Sequence, residues 1–247
     1  NIAVLGSGAW GCTLAHHLSR IGGHELTLWE HDLERRKELE KVRHPFGIDE
    51  YRLADDIKIT SDLEDALDCC RTLIVVIPAQ RIAGFVSHLE EVIGQNSHTT
   101  EDYQFLLASK GIDLEKRLPL SDFFAQSFPK NSFAVLSGPC IAKEIAQGVP
   151  TSVVVSSANR AYADLLIERF SNETMRCYYQ PDVLGVELGG ALKNCIAIAA
   201  GISDGLGFGE NTKSALLSRG LAEISRLSAS MGADEQTIYG LAGLGDL

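Results

Sequence analysis

The sequence is short of basic residues, of paired cysteines and of long uninterrupted apolar runs. Its 22 Lys and Arg face 33 Asp and Glu, which gives a net charge of −11 at pH 7. This balance is unsuited to binding a nucleic-acid backbone, so we expect no nucleic-acid partner, although a local basic pocket is still allowed. The hydrophobic fraction of 45% and the charged fraction of 22% are those of a folded globular protein, and 247 residues suffice for one large or two small domains.

The six cysteines form no CxxC pair and are too dispersed for a disulfide framework. They are Cys12, Cys69, Cys70, Cys140, Cys177 and Cys195. We therefore expect reduced thiols in a cytoplasmic protein. Metal-ligand spacing is missing as well, because the histidines His16 and His17 are adjacent and do not share one face of a helix or strand. We expect no metal site, and the sequence has no GxSxG nucleophile motif.

The longest weakly polar stretch, residues 184–202, is interrupted by Glu187, Lys193 and Asn194 and is rich in Gly and Ala. A membrane-spanning helix needs about 20 predominantly apolar residues and rarely contains such groups, so a buried helix is expected here. The chain opens on a strand-like run and lacks the basic start and apolar segment of a signal peptide. We expect no stable membrane insertion.

The first part of the chain alternates short apolar runs with longer amphipathic segments, which is typical of a parallel α/β sheet. The predicted strands are residues 2–5, 25–29, 72–77, 105–108, 133–136 and 152–155. The predicted helices are residues 9–21, 33–42, 63–67, 82–93, 118–128, 141–147 and 161–170. Residues 72–77 are nearly all apolar, as expected for a central strand covered on both faces.

The pattern changes near Pro181, after which no further strand is predicted. Residues 182–202 and 212–231 are predicted to form long helices, and residues 234–241 to begin a third. Pro181 suits the start of a helix, and Asp182 would lie in the first turn, where negative charge is favoured. We therefore predict two domains in an α/β fold. A Rossmann-like doubly wound sheet domain covers residues 1–180, and an all-α domain covers residues 181–247.

Residues 6–11 read Gly-Ser-Gly-Ala-Trp-Gly, directly after an apolar strand and at the start of a predicted helix. This context is that of a dinucleotide-binding loop. Gly6 allows the tight turn, Gly8 lets the backbone approach a pyrophosphate, and Gly11 permits close helix–strand packing. The free amides at the helix N-terminus would bind the phosphates. The alternative is a plain strand–turn–helix in which the glycines only shape the bend.

The second predicted strand ends at Trp29 and is followed by Glu30 and His31. An acidic residue about 20 positions after the glycine loop binds the ribose of NAD, whereas a cation there admits the additional phosphate of NADP. Glu30 favours NAD, whereas His31, Arg35 and Arg36 would tolerate NADP. The alternative for each of these residues is a solvated turn. Either NAD or NADP is therefore allowed.

Three charged residues are candidates for the chemistry. Lys193 lies among small and apolar residues, and burial would lower its pKa and suit it to proton transfer; alternatively, only its stem is buried. Lys110 follows a predicted strand, at the edge of the sheet where ligands bind, or it is an exposed loop lysine. Asp246 would orient a catalytic lysine, or it is a helix cap or surface charge.

A second loop, residues 137–140, reads Ser-Gly-Pro-Cys and lies between a predicted strand and a predicted helix. Backbone amides in such a loop are suited to hold an anion. The alternative is a turn in which Cys140 is simply a small, inert side chain.

Eight segments, in the same order along the chain, resemble the bacterial-type NAD(P)-dependent glycerol-3-phosphate dehydrogenases. They are residues 4–11, 109–111, 136–139, 185–194, 199–207, 211–213, 218–221 and 240–247. Residues 185–207 are the most specific part. The resemblance implies an oxidoreductase that reversibly reduces dihydroxyacetone phosphate to sn-glycerol 3-phosphate with NAD or NADP as the hydride carrier. It also implies a cytoplasmic role that supplies phospholipid synthesis.

The resemblance further implies roles for individual residues. Lys193 would be catalytic: it accepts a proton during glycerol 3-phosphate oxidation and donates one in the reverse direction. The implied substrate-binding residues are Lys110, Gly138, Cys140, Lys193 and Asp246. The implied cofactor-binding residues are Gly6, Ser7, Gly8, Ala9, Trp10, Gly11, His31, Lys110 and Ala142.

The chain departs from the family pattern at Cys140, where the family usually has Ser or Thr. A thiol is a weaker donor, although a backbone contact would remain. The family continues past the position of Leu247 with a Ser-Arg-Asn segment that grips phosphate and cofactor, so we expect this helical domain to be truncated. The alternative functions are a catalytically silent dinucleotide sensor and a related hydroxy-acid dehydrogenase. The oligomeric state is left open, a homodimer included.

Overall fold

The computed structural model describes residues 1–48, 51–68, 70–95 and 102–247; Cys69 lies outside them. Within these residues, eight strands form one sheet flanked by helices, and a group of helices follows the last strand. The strands are β1 (Ile2–Leu5), β2 (Leu26–Trp29), β3 (Lys58–Thr60), β4 (Thr72–Val75), β5 (Gln104–Leu107), β6 (Phe133–Ser137), β7 (Thr151–Ser156) and β8 (Met175–Gln180). The helices are α1 (Ala9–Ile21), α2 (Leu33–Val42), α3 (Leu63–Leu67), α4 (Ile82–Gln95), α5 (Leu120–Ser127), α6 (Ala142–Ala146), α7 (Arg160–Phe170), α8 (Val183–Gly205), α9 (Glu210–Ser230) and α10 (Glu235–Ile238).

The strand order is β3-β2-β1-β4-β5-β6-β7-β8. The first six strands in this order are parallel to one another. Strand β7 pairs antiparallel with β6, and β8 is parallel to β7. The prediction of a parallel sheet is therefore wrong at this end. A parallel crossover must carry the chain back along the strand, and the five-residue helix α6 rises only about 7.5 Å.

The two halves of the sheet diverge at β1. Ile2 pairs with Leu26 of β2 on one side and with Thr72 of β4 on the other. After β1, the chain first adds β2 and β3 on one side of it and then adds β4 and the later strands on the other side. In open α/β sheets, ligands bind at such a switch point, outside the carboxyl ends of the strands. The glycine loop follows β1 at this place.

Successive residues of β1 enter opposite cores. Ile2 and Val4 belong to the cluster that contains residues of α1 and α7, whereas Ala3 and Leu5 belong to the cluster that contains residues of α3, α4 and α5. All four β1 residues are buried. Strand β4 is likewise buried at every position, which is typical of a parallel sheet covered on both faces.

Most predicted elements are confirmed, and α1, α2 and α3 have the predicted bounds. Two strands were missed. Strand β3 is only three residues long, and in β8 the buried Met175 and Cys177 alternate with the exposed Arg176 and Tyr178, so neither strand has a continuous apolar run. The predicted helix over residues 234–241 is also too long, because α10 ends at Ile238.

Helix α8 joins the helical part to the sheet. Its Ile196 packs with Leu221 and Ile224 of α9 and with Ile238 of α10. Among the described residues, α8 is the one helix long and apolar enough to cross a membrane by length and composition. Its first half, however, is buried within the protein from Gly185 to Gly190. The division into domains at residue 180 stays a prediction.

Candidate active site

Three charged side chains from distant parts of the sequence meet at one point. Lys110 lies in the loop after β5, Lys193 on α8, and Asp246 in a short 3-10 turn, Leu244–Asp246. Lys110 Nζ donates to Asp246 Oδ2 at 2.5 Å, and Lys193 Nζ lies 2.8 Å from Asp246 Oδ1. Lys193 Nζ also donates to the Asp246 main-chain oxygen at 2.5 Å. One carboxylate thus bridges two ammonium groups.

This carboxylate is almost completely buried, with 6% of the Asp246 side chain exposed, against 24% for Lys110 and 16% for Lys193. Three alternatives from the sequence are therefore wrong. Lys110 is not a free loop lysine, Asp246 is not a surface charge, and the head of Lys193 is not directed to open solvent. The surroundings of Lys193 also include a charged partner that its apolar sequence neighbours did not indicate.

Glycines bring the backbone close to this cluster. Lys110 Nζ donates to the carbonyl oxygen of Gly138 at 3.0 Å, and Gly138 has φ +113°, a conformation that favours glycine. A Cβ at Gly190 would lie 2.9 Å from Ser137 Oγ and 3.6 Å from Lys110 Cγ. Helix α8 therefore approaches the end of β6 closely, and this approach places Lys193 beside Lys110.

A cleft of about 330 Å³ opens beside the lysine cluster. Its lining includes Trp10 from α1, Lys110 and Cys140. Trp10 Nε1 donates to the carbonyl oxygen of Ala108 at 3.1 Å, which ties α1 to the end of β5. Burial raises the pKa of Cys140 to about 11. The thiol therefore stays protonated at neutral pH and can act as a weak donor but not as a nucleophile.

The glycine loop has the geometry of a phosphate-binding turn. Gly6 has φ +118°, and a Cβ there would meet the carbonyl oxygen of Val76 at 2.5 Å. Gly8 is the N-cap of α1, and a Cβ there would meet no atom within 4 Å. The α1 N-terminus has no side-chain cap and no acidic residue in its first turn. Its amides are thus available for an anion, and the loop fits the pyrophosphate of a dinucleotide.

Gly11 and Gly8 should respond differently to alanine. A Cβ at Gly11 would lie 1.9 Å from the carbonyl oxygen of Gly6, so we expect Gly11→Ala to lower the free energy of unfolding by about 3 kcal/mol or more. Gly8→Ala should change it by less than about 1 kcal/mol but weaken NADH binding about tenfold, because the methyl group occupies the path of the phosphates. Urea unfolding and NADH fluorescence titration measure the two effects. Equal losses of stability in Gly8→Ala and Gly11→Ala would contradict the assignment of Gly11 to helix–strand packing and of Gly8 to the phosphates.

Glu30 directly follows β2 and is buried, with 3% of its surface exposed. It accepts hydrogen bonds from Ser7 Oγ and from the amide of Asp32, and its carboxylate lies 2.9 Å from His31 Nδ1 and 3.8 Å from Arg35 Nε. A solvated turn is therefore the wrong interpretation for Glu30. A neighbouring pocket of about 280 Å³ is lined by residues that include Ser7 and Arg35.

The predicted cofactor residues surround the glycine loop, but they do not all join the lysine cluster. Ser7 and Ala9 lie in the loop and the first turn of α1, and His31 lies beside Glu30, where its side chain is 59% exposed. Ala142 begins α6, and its carbonyl oxygen accepts a hydrogen bond from Thr13 Oγ1 of α1 at 3.4 Å. In the described part of the chain, no group of three or more His, Cys, Asp or Glu is placed to hold a metal ion.

Sequence reasoning missed two buried contacts. The first is the hydrogen bond from Ser7 to Glu30, and the second is a pair of hydrogen bonds from Ser121 to Glu187. The acidic residue after the second strand is a partial signal for the first contact. The second joins residues 66 positions apart and has no local signal.

The chain matches two family models that together cover most of its length. They are the NAD-dependent glycerol-3-phosphate dehydrogenase N-terminus, over residues 1–163, and the corresponding C-terminus, over residues 182–247. The chain belongs to the NAD-dependent glycerol-3-phosphate dehydrogenase family. The resemblance found in the sequence is thereby confirmed, as are the oxidoreductase class and the use of NAD or NADP.

Individual members of the glycerol-3-phosphate dehydrogenase family agree with this assignment. The glycerol-3-phosphate dehydrogenase (NAD(P)+) of Thermoanaerobacter sp. (strain X514) is 40% identical over 246 residues, which are 100% of this chain and 72% of the relative. A crystal structure of glycerol-3-phosphate dehydrogenase from Coxiella burnetii has a TM-score of 0.92 and 34% identity, covering 100% of this chain and 74% of that one. A structure of D-mandelate dehydrogenase shares the fold alone. Its TM-score is 0.64 and its identity 13%, and the match covers 100% of this chain and 82% of that one. The predicted Rossmann-like sheet followed by helices is confirmed.

Proposed function

We propose that the protein reversibly reduces dihydroxyacetone phosphate to sn-glycerol 3-phosphate with a nicotinamide dinucleotide. The observation that carries this proposal is the pairing of Lys110 and Lys193 through Asp246, beside the cleft that Trp10 of the glycine-loop helix lines. Family membership supports the same reaction. A proton donor, a cationic site and a dinucleotide loop are the parts that the reduction of a phosphorylated ketone requires.

Residues of the chain transfer the proton and stabilise the charge that develops on the substrate oxygen. When bound, the nicotinamide supplies the hydride. Lys193 then stabilises the negative charge that develops on the ketone oxygen and donates a proton to it. In the oxidation direction, the amine of Lys193 accepts the hydroxyl proton. Asp246 fixes the Lys193 amine through its carboxylate and its main-chain oxygen.

The charge of the cluster suits a phosphorylated substrate. Two ammonium groups and one carboxylate leave a net positive charge at the site, in a protein whose net charge is −11. A substrate phosphate needs such a local field against the overall negative one. We assign Lys110 to both substrate and cofactor, and Gly138 and Cys140 to the substrate side of the site.

We also propose that NADH is preferred over NADPH. Glu30 places a buried carboxylate where the second strand ends, the position that binds the ribose hydroxyls of NAD. The nearest basic side chains, those of His31 and Arg35, already face this carboxylate. A further phosphate on the ribose would meet the negative charge of Glu30 before it met an unengaged cation.

Glu30→Ala tests this preference. Removing the carboxylate frees Arg35 and His31 for a phosphate, so we expect kcat/KM for NADPH to rise about 10- to 100-fold, or about 1.4–2.7 kcal/mol, while that for NADH falls. Steady-state kinetics with both coenzymes measure the ratio. Glu34→Ala, a change at an acidic residue of α2 whose side chain is 81% exposed, is the matched control and should leave the ratio unchanged. An unchanged ratio in Glu30→Ala would contradict the proposal.

The reaction itself is tested by following NADH and NADPH oxidation by the purified protein with dihydroxyacetone phosphate, and in parallel with a panel of 2-oxo acids. Turnover of dihydroxyacetone phosphate alone supports the proposal. Tight NADH binding without turnover of any ketone would favour the dinucleotide sensor. Turnover of 2-oxo acids instead would favour the hydroxy-acid dehydrogenase.

We further propose a cytoplasmic location and a supply of glycerol 3-phosphate to phospholipid synthesis. Family membership supports both, since the product carries the backbone of a glycerophospholipid. Depletion of the protein in its source cells should cause a growth defect that added glycerol 3-phosphate relieves. Growth unaffected by depletion would argue against the metabolic role.

A further inference from the structure

Glu187 is a buried carboxylate that the proposed reaction does not use. It lies on α8, and 8% of its surface is exposed. Its Oε1 accepts a hydrogen bond from the amide of Ser121 at 3.0 Å, and its Oε2 accepts one from Ser121 Oγ. Ser121 is the second residue of α5, whose N-cap, Pro119, makes no side-chain cap. Glu187 therefore caps a helix of the sheet layer from the helical part of the protein.

The same stretch of α8 lies against the loop after β5 and the end of β6, beside the candidate active site. Glu187, Gly190 and Lys193 follow one another at intervals of three residues, so they are neighbours along the helix surface. A Cβ at Gly190 would lie too close to Ser137 Oγ of β6, at 2.9 Å, and would be in van der Waals contact with the stem of Lys110. Glu187 and Gly190 line one small space together with Lys110 and Ser137.

Stability alone does not explain a carboxylate at this place. Moving a carboxylate out of water costs free energy, and two hydrogen bonds from one serine only offset that cost. The two hydrogen bonds have fixed directions, however, whereas apolar packing tolerates sliding. They define both the depth and the rotation of α8 against α5.

We propose that Glu187 is a positioning residue that anchors α8 to α5 and thereby fixes Lys193 in register with Asp246 and Lys110. This inference rests on the proposed function. A helix transmits a displacement along its length, and a misplacement of about 1 Å at reacting groups can cost about 100-fold in rate. Loss of the anchor should lower kcat without changing NADH affinity, because the glycine loop lies on a different element.

The protonation of Glu187 supplies an independent signature. Burial raises the pKa of Glu187 to about 7, against the lowering effect of the Ser121 hydrogen bonds. Asp122 on α5 raises it further, and Lys110 lines the same small space. The folded protein thus binds a proton that the unfolded chain releases near its ordinary pKa of 4.5. The stability that the Glu187 carboxyl contributes is fully present below pH 4.5 and is lost as the pH rises to about 7.

The experiment compares four variants of the protein by kcat, by NADH affinity and by melting temperature. Glu187→Ala removes the anchor, Ser121→Ala removes one of its two hydrogen bonds, and Glu187→Gln keeps both, because its amide accepts from the backbone N–H and donates to the hydroxyl. Asn159→Ala is the matched control, since Asn159 caps α7 through the amide of Tyr162, away from α8.

We expect Glu187→Ala to lower kcat about tenfold or more with NADH affinity unchanged, and Glu187→Gln to restore kcat to within about threefold. Asn159→Ala should lower the melting temperature with kcat unchanged. As the pH rises from 4.5 to 7, the melting temperature of the unmodified protein should fall relative to that of Glu187→Gln.

A full kcat in Glu187→Ala, with a stability loss like that of Asn159→Ala, would overturn the inference. If Glu187→Ala does not fold, Ser121→Ala decides, since an intermediate loss of kcat supports the anchor and an unchanged kcat overturns it. Failure of the proposed function has a different result, because the unmodified protein would then not turn over dihydroxyacetone phosphate at all.

Discussion

Replacing Lys193 by Met should lower kcat for dihydroxyacetone phosphate reduction by about 10³-fold or more, while NADH still binds. The amine is the group placed to donate the proton and to oppose the charge on the oxygen, and each of these effects is typically worth about 10²-fold or more. Met retains much of the length and packing of the side chain. NADH binding is spared because Lys193 lies on α8 and the glycine loop lies at the edge of the sheet.

Two further variants complete this test. Lys193→Arg keeps a positive charge beside Asp246. The guanidinium holds its proton too tightly to act as the acid, however, so kcat should remain low. Lys213→Met is the matched control, because Lys213 on α9 also pairs with a carboxylate, that of Asp204 at 2.8 Å, but outside the cluster. Steady-state kinetics and NADH fluorescence titration measure both properties. More than a tenth of the original kcat in Lys193→Met would show that another group supplies the proton.

Asp246→Asn should lower kcat about 100-fold, which corresponds to about 2.7 kcal/mol, without raising KM for dihydroxyacetone phosphate. The amide keeps the shape of the side chain, but it no longer offers two anionic acceptors to Lys110 and Lys193. The two ammonium groups then repel each other, and Lys193 loses part of its orientation. The site becomes more positive at the same time, which favours a phosphorylated substrate.

The separation of kcat from KM is the decisive result for Asp246. Initial rates over a wide range of dihydroxyacetone phosphate concentrations provide both constants. Asp234→Asn is a suitable control, since Asp234 caps the short helix α10 through the amide of Gln236 and has no contact with the lysines in the described structure. A higher KM with kcat unchanged would mean that Asp246 serves binding only.

Local patterns account for the part of the fold that the sequence predicted. The residues of α1 and the loop before it are specified by an apolar strand, three glycines and an amphipathic run within about 20 positions. Helix α2 is equally local, because Asp32 caps it through the amides of Glu34 and Arg35. Such signals need no distant partner, and the predicted bounds of both helices are confirmed.

The parts that were missed depend on distant contacts. Strand β8 exists because β7 provides an edge for it to pair with, and its own residues alternate between buried and exposed. The reversal between β6 and β7 follows from the shortness of α6 rather than from a composition signal. Resemblance to a family named Lys110, Lys193 and Asp246, but no spacing rule could place one carboxylate between two lysines.

The same long separations determine when the reaction centre can form during folding. Lys110 and Asp246 are 136 residues apart, whereas the glycine loop and its Glu30 partner are 23 apart. Closing the longer loop costs more chain entropy, and it also requires α8 to dock first. The cluster of Lys110, Lys193 and Asp246 therefore depends on the docking of α8, whereas the hydrogen bond from Ser7 to Glu30 does not. Detachment of α8 from the sheet would separate Lys193 from Lys110 and abolish the reaction centre while the strands of the sheet stayed paired.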